Sequence, residues 1–276
     1  MDRRRCHLPK GSACSGSFLL GYLLLAALLT PALVFAQSPF DYAERVSFSS
    51  AEYTYEPTPF ALKQAKKLGR SADEKVEPAA PIAGYLQQPD SAGPLPAVVL
   101  LHSCAGISEH EALWSARLVS WGYVVLTVDS LAPRGVDYLC DGRSLTPAPW
   151  HRALDAYGAK AYLAGLSFVD ENSISVLGLS HGAMAILELI KEKSFAGTGL
   201  APFNSAVAYY PLCGTAEPIR NPTLILIGSA DNWTPAIQCE QYAASLEAGD
   251  RLSLRVFEGA HHLFDYPGID TEELGK

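Results

Sequence analysis

The sequence predicts one α/β domain, built on a mostly parallel, doubly wound sheet with helices on both faces. Three observations carry that prediction. From residue 82 onward, short β-branched or aromatic runs alternate with longer segments of helical periodicity, the pattern of βαβ units. Several of the short runs are almost continuously apolar, as parallel strands are when helices cover both faces. No repeat, Gly/Ser tract or proline-rich linker divides the 276 residues, so one domain suffices.

The chain opens differently. Arg3, Arg4 and Arg5 precede an apolar run from Phe18 to Ala36 that ends Val34-Phe35-Ala36. A basic start, an apolar centre and a small residue at the end read as a cleavable signal peptide over 1–36. A run this long could also remain as an anchor, but Pro31 and the small residue before Gln37 favour cleavage. The expected product is exported, periplasmic or secreted, with no stable membrane association. Residues 37–276 then form the single domain, with 37–81 irregular apart from a short helix over 61–75 and a core over 82–265.

Strands are expected at Ile82–Leu86, Ala97–His102, Tyr123–Val128, Ser173–Gly178, Ala206–Tyr210, Thr223–Gly228 and Leu252–Phe257. Helices are expected at Glu109–Trp121, His151–Leu166, Gly182–Lys191 and Pro235–Leu246. In the second helix Leu154, Tyr157, Ala161 and Ala164 recur at three- and four-residue spacing and make one apolar face, which Gly158 weakens. Pro235 suits a first helical turn, where its missing N–H costs nothing. Ligands of such sheets gather at the carboxyl ends of the strands.

The net charge is −8, falling to −11 once Asp2, Arg3, Arg4, Arg5 and Lys10 leave with the signal. So acidic a chain is a poor nucleic-acid binder, since phosphate neutralisation drives that affinity. Export would leave Cys104, Cys140, Cys213 and Cys239, an even number for which three pairings exist. Their spacing is not that of a zinc site.

One stretch carries the chemistry. Ser175 to Met184, SVLGLSHGAM, places Gly178-Leu179-Ser180-His181-Gly182 between a strand and a helix, the context of a nucleophile elbow. The serine projects above the sheet, flanking glycines leave clearance, and the amides that open the helix favour developing negative charge. A serine needs a base, and the base an orienting carboxylate, in the chain order serine, acid, histidine. Asp231 follows the strand that ends at Gly228, and His261 and His262 follow the strand that ends at Phe257. All three reach carboxyl ends of strands. One oxyanion donor is the N–H of His181; the other belongs to the loop Ser103-Cys104-Ala105-Gly106, at Cys104 or its neighbour. His102, just before that loop, is read as structural.

The blocks PAVVLLHSCAGIS, GYVVLTVDSLAPRG, FVDENSISVLGLSHGA, AVAYYPLC, PTLILIGSADNWTP and EGAHHLFD together resemble the dienelactone hydrolase family of α/β-hydrolases, especially its exported bacterial members. The resemblance covers roughly 82–265 and implies the α/β-hydrolase fold. It selects His262 over His261 through His-x-Phe-Asp, matches Asp231 to the acid, and maps the oxyanion donor near Cys104. It also places Arg134 near where the family can bind a substrate carboxylate, with a solvated surface arginine as the alternative; Trp233 is a second candidate substrate contact. It sets Cys213 and Cys239 beside the site, where a disulfide is expected, with Cys104 and Cys140 as the other pair. Two departures stand out. The founding members use a cysteine nucleophile where this chain has serine, which favours general ester or lactone hydrolysis over dienelactone. The family also continues into a C-terminal helix beyond the histidine, so part of the sheet is expected to be less covered here.

The reading is an exported serine hydrolase that cleaves small-molecule esters or lactones through an acyl-enzyme, with no metal or organic cofactor required. Two rivals differ in class: a peptidase using the same triad, and a non-catalytic exported ligand-binding protein. Oligomeric state is not legible.

Overall fold

The computed structural model describes residues 40, 43–55, 59–69, 71, 75–142, 146–192, 199–246 and 251–269. The signal-peptide reading over 1–36 lies outside them. Among the described residues, no helix is long and apolar enough to cross a membrane.

Seven strands fall where the alternating runs place them: β4 (Pro81–Gln87), β5 (Leu95–Leu101), β6 (Val124–Asp129), β7 (Val169–Leu179), β8 (Ala206–Tyr209), β9 (Thr223–Gly228) and β10 (Leu252–Phe257). Four helices follow the periodic segments: α2 (Glu109–Ser120), α3 (Pro149–Ala164), α4 (His181–Leu189) and α5 (Ala236–Ala244).

The irregular reading of 37–81 is corrected. It holds β1 (Glu44–Ser49), β2 (Tyr53–Tyr55), α1 (Pro59–Lys67) and β3 (Lys75–Glu77); β2 pairs with β3, and β1 joins the main sheet. Its polar–apolar alternation, with Val46 buried and Phe48 packed on the core, is that of a half-buried edge strand. The short helix starts and ends earlier than expected.

The eight strands run in the order β1-β4-β6-β5-β7-β8-β9-β10, with β4 antiparallel to β1 and β6 and the rest parallel. After β5 the chain goes to β6 on one side and then to β7 on the other. The β5–β7 seam is therefore the topological switch point, outside whose carboxyl ends ligands bind. Helix α3 packs on α4 and on β5, β6 and β7. Its Gly158 has a packing reason: a Cβ there would lie 2.0 Å from the carbonyl oxygen of Ser49, because the chain leaving β1 runs against the helix, where Ala51 N–H donates to Leu154 O at 2.9 Å. Along β8 and β9, Ala206, Ala208, Ile225 and Ile227 are buried on one face. On the other, Val207, Tyr209, Leu224 and Leu226 line an open apolar groove beside Trp114 and Leu118 of α2.

Candidate active site

The buried end of β7 stops at Leu179, and Ser180 takes φ 50° and ψ −111°, a conformation that non-glycine residues adopt at a cost of about 1–3 kcal/mol. Surrounding structure enforces it. Ser180 N–H donates to Tyr209 O at 3.0 Å, and Met184 N–H returns to Ser180 O at 2.9 Å. Neither flanking glycine has room for a side chain. A Cβ on Gly178 would sit 2.5 Å from Gly182 O, and one on Gly182 would sit 2.4 Å from Leu101 O and 2.6 Å from His102 O. The start of α4 therefore lies directly on the end of β5.

Asp231 reaches this point from β9 through a turn that its own carboxylate holds. Oδ1 accepts the N–H groups of Trp233 (3.0 Å) and Thr234 (2.9 Å), while Oδ2 accepts the Thr234 hydroxyl at 2.8 Å. The same Oδ2 accepts Nδ1–H of His262 at 2.7 Å, so the turn residue and the histidine partner are one carboxylate. His262 is brought over Gly228, where a Cβ would meet Ala260 O at 2.0 Å; Ala230 N–H fixes that carbonyl at 3.0 Å. With Nδ1 donating to Asp231, Nε2 is left as the acceptor, and the Ser180 hydroxyl lies 3.0 Å from it. All three side chains are buried or nearly so. Burial pushes the Asp231 carboxyl up, but the hydrogen bond and charge of His262 and the Thr234 bonds outweigh it, and the net shift is below the usual carboxylate range.

His262 is packed between aromatic rings. Trp233 stacks on it with centroids 5.3 Å apart and planes 22° apart, and Tyr210 lies 4.5 Å away on a tilt. Trp233 is 44% exposed, so its indole borders both the histidine and solvent.

His181 opens α4, where a backbone N–H has no partner within the helix. The loop carrying Cys104 is held from several sides. Glu111, fully buried, accepts Ser103 N–H (3.3 Å) and Ser108 N–H (2.9 Å); Leu139 N–H donates to Cys104 O at 2.8 Å; and Cys104 is bonded to Cys140. Cys213 is bonded to Cys239, which joins the segment after β8 to α5. His102 is buried with Nδ1–H donating to Ser103 O (2.6 Å) and Nε2 accepting Ser130 N–H (3.3 Å); burial first and Arg152 second hold it well below the usual histidine range. It is a neutral strut.

Arg134, which the resemblance offers as a substrate contact, is engaged within the fold. Its guanidinium makes a two-pronged pair with the fully buried Asp155, at 2.8 Å on each prong, and donates to Ser130 O at 2.7 Å. A buried carboxylate without such a partner would be costly, and that demand takes the arginine.

Sequence reasoning missed Glu111, Arg152, Thr234 and Asp265. Glu111 had a signal, since Ser108-Glu109-His110-Glu111 is a capping-box pattern and the box is present at the start of α2. Thr234 lies only three residues from Asp231, but no pattern in the sequence separates its bond from an ordinary turn; the partners of Arg152 and Asp265 lie far away in the chain.

The profile described as the dienelactone hydrolase family matches residues 82–272. A Synechocystis sp. protein provisionally named carboxymethylenebutenolidase is 24% identical over 208 residues, covering 68% of this chain and 80% of that protein. Among solved structures, Thermogutta terrifontis esterase 2 phosphorylated by paraoxon is similar with a TM-score of 0.54 and 21% identity, over 69% of this chain and 82% of that one. A provisionally named dienelactone hydrolase from Klebsiella pneumoniae subsp. pneumoniae matches with a TM-score of 0.54 and 18% identity, over 84% and 94%. At these identities the solved structures speak for a shared fold.

Proposed function

Because this chain belongs to the dienelactone hydrolase family and is a hydrolase of ester or lactone bonds, we propose that it acts on small molecules through an acyl-enzyme at Ser180. The observation that carries the proposal is one line of contacts: Ser180 Oγ at 3.0 Å from His262 Nε2, and His262 Nδ1 at 2.7 Å from Asp231 Oδ2.

In this reading Ser180 Oγ attacks the carbonyl carbon while His262 Nε2 takes its proton, and Asp231 holds the tautomer and stabilises the imidazolium. The negative oxygen of the tetrahedral intermediate is received by the N–H groups of His181 and Cys104. Collapse expels the alcohol, which takes the proton from His262. Water then attacks the acyl-enzyme with His262 again as base, releasing the acid and restoring Ser180. Trp233 supplies an aromatic wall for the substrate. A cavity bordered by Ala105, Gly106, Ile107, Leu131 and Val136 begins one residue past Cys104 and is the candidate recess for one arm of the ester. The two disulfides support an oxidising compartment, in keeping with export.

The paraoxon adduct named for the Thermogutta esterase suggests the test. The purified chain is treated with a fluorophosphonate probe and mapped by peptide mass spectrometry, beside Ser180→Ala. An adduct on Ser180, absent from the variant, is expected; folded protein that takes no label would overturn the reading.

A further inference from the structure

Arg152, on α3, is the largest fully buried side chain among the described residues. Its guanidinium is divided between two segments. Nη1 donates to Nδ1 of His181 at 2.8 Å, and Nη2 donates to the main-chain oxygen of His102 at 2.7 Å. His181 directly follows the proposed nucleophile, and His102 stands two residues before Cys104. These are the two strands of backbone that supply the proposed oxyanion donors, and they meet along the seam that Gly182 keeps clear.

We infer that Arg152 is a positioning residue for hydrolysis, its planar fork setting the separation and aim of the His181 and Cys104 amides so that both reach one oxyanion. The inference rests on the reading of Ser180 as nucleophile.

The pattern of partners argues for positioning over charge pairing. Three buried carboxylates lie near Arg152, namely Asp155, Glu111 and Asp129, but none is its hydrogen-bond partner, and Asp129 accepts the N–H groups of Leu131 and Ala132. Asp155 gives both oxygens to Arg134, and Glu111 gives both to Ser103 and Ser108. The direct partners of Arg152 are a neutral imidazole and a carbonyl, and among the described residues its Nε has no acceptor at all. A buried cation in so incomplete a setting is costly. Burial lowers Arg152 to about 10, so it stays cationic at neutral pH and also adds positive potential beside the developing oxyanion. His181 can accept at Nδ1 only when neutral. Burial first and the charge of Arg152 second lower it to about 3, so the contact persists across neutral and mildly acidic pH. Glu111 holds the Cys104 loop to the start of α2, whereas Arg152 ties the residue before that loop to α4. A lysine could keep the charge but not span both acceptors.

The test compares Arg152→Lys, His181→Ala and the double variant with wild type, by steady-state kinetics on a p-nitrophenyl ester, fluorophosphonate labelling rate and thermal melting. For folded Arg152→Lys, kcat is expected to fall on the order of 10- to 100-fold with KM within about threefold, and labelling of Ser180 to slow in parallel. His181→Ala, which keeps the backbone amide but removes one acceptor, is expected to lose kcat similarly. The double variant is expected to be no worse than about the poorer single one, because the two act as a unit. A kcat within twofold of wild type, a loss confined to KM, or losses that multiply would each overturn the inference. If Arg152→Lys does not fold, His181→Ala decides: a tenfold or larger fall in kcat upholds the inference and wild-type kcat overturns it. Wild-type protein unlabelled at Ser180 would bring down the nucleophile reading and this inference together, whereas a labelled wild type with unaffected variants brings down this inference alone.

Discussion

Among the described residues, two buried carboxylate–histidine pairs differ in what surrounds them. In one, Asp231 accepts His262 at 2.7 Å and the far nitrogen of that ring faces Ser180. In the other, Asp265 accepts His110 at 2.9 Å, but also Trp114 Nε1 at 2.6 Å and the Tyr210 hydroxyl at 2.8 Å. The His110 ring is stacked flat on Tyr266, 4.4 Å away. The first pair points toward a hydroxyl in a strained turn. The second is saturated by donors from α2 and the end of β8, and ties both to the C-terminal loop. The comparison teaches that the pair itself is not the catalyst: the group beyond the histidine decides whether the contact does chemistry or holds the fold. Tyr210 touches both pairs, its ring on His262 and its hydroxyl on Asp265.

The sharpest way to break this contrast is to truncate each pair and measure activity and stability separately. His262→Ala is expected to lower kcat on p-nitrophenyl esters by on the order of 10⁴-fold or more, with little change in the urea midpoint. A variant that kept even a tenth of wild-type kcat would place the base elsewhere. Asp265→Ala is expected to do the reverse. It leaves three buried donors without an acceptor and should cost about 3–5 kcal/mol in urea unfolding, while the folded fraction stays active within about tenfold. Loss of chemistry without loss of stability would make the second pair part of the site.

The smallest effect lies at low pH. Burial raises Asp265, but the bond and charge of His110 and the Trp114 and Tyr210 bonds bring it below the usual carboxylate range, as happens at Asp231. A carboxyl lowered on folding adds stability in full above its unfolded value, about 3.9, and loses it as pH falls through the folded value. Unfolding free energy should therefore drop below about pH 4, and Asp265→Asn should flatten that limb by removing one of its contributors, beside Asp231 and Asp170. An unchanged acid limb would refute that assignment.

The sheet was legible because parallel strands covered on both faces are written as apolar runs. The elbow was legible because close backbone contact at Gly178 and Gly182 demands glycine. What stayed hidden depended on long-range pairing. β1 is a six-residue edge strand whose partner is Pro81–Gln87, too faint a signal beside the proline-dotted segment around it. The pairing of Arg134 stayed hidden because nothing in its neighbourhood announces Asp155, 21 residues on. Arg152 sits in a helix whose apolar spacing says only that the helix packs.

The sheet order also has a consequence for the making of the protein. Ser180 is synthesised 82 residues before His262, and β10, which delivers that histidine, joins the sheet only along β9. A chain cut short after β8 would carry its serine without the proposed base or acid, and one in which β10 fails to add would lack the proposed base in place. With Ser180 and His262 in their proposed roles, hydrolytic activity is withheld until β10 has docked, and an activity assay doubles as a measure of correctly closed molecules in a preparation.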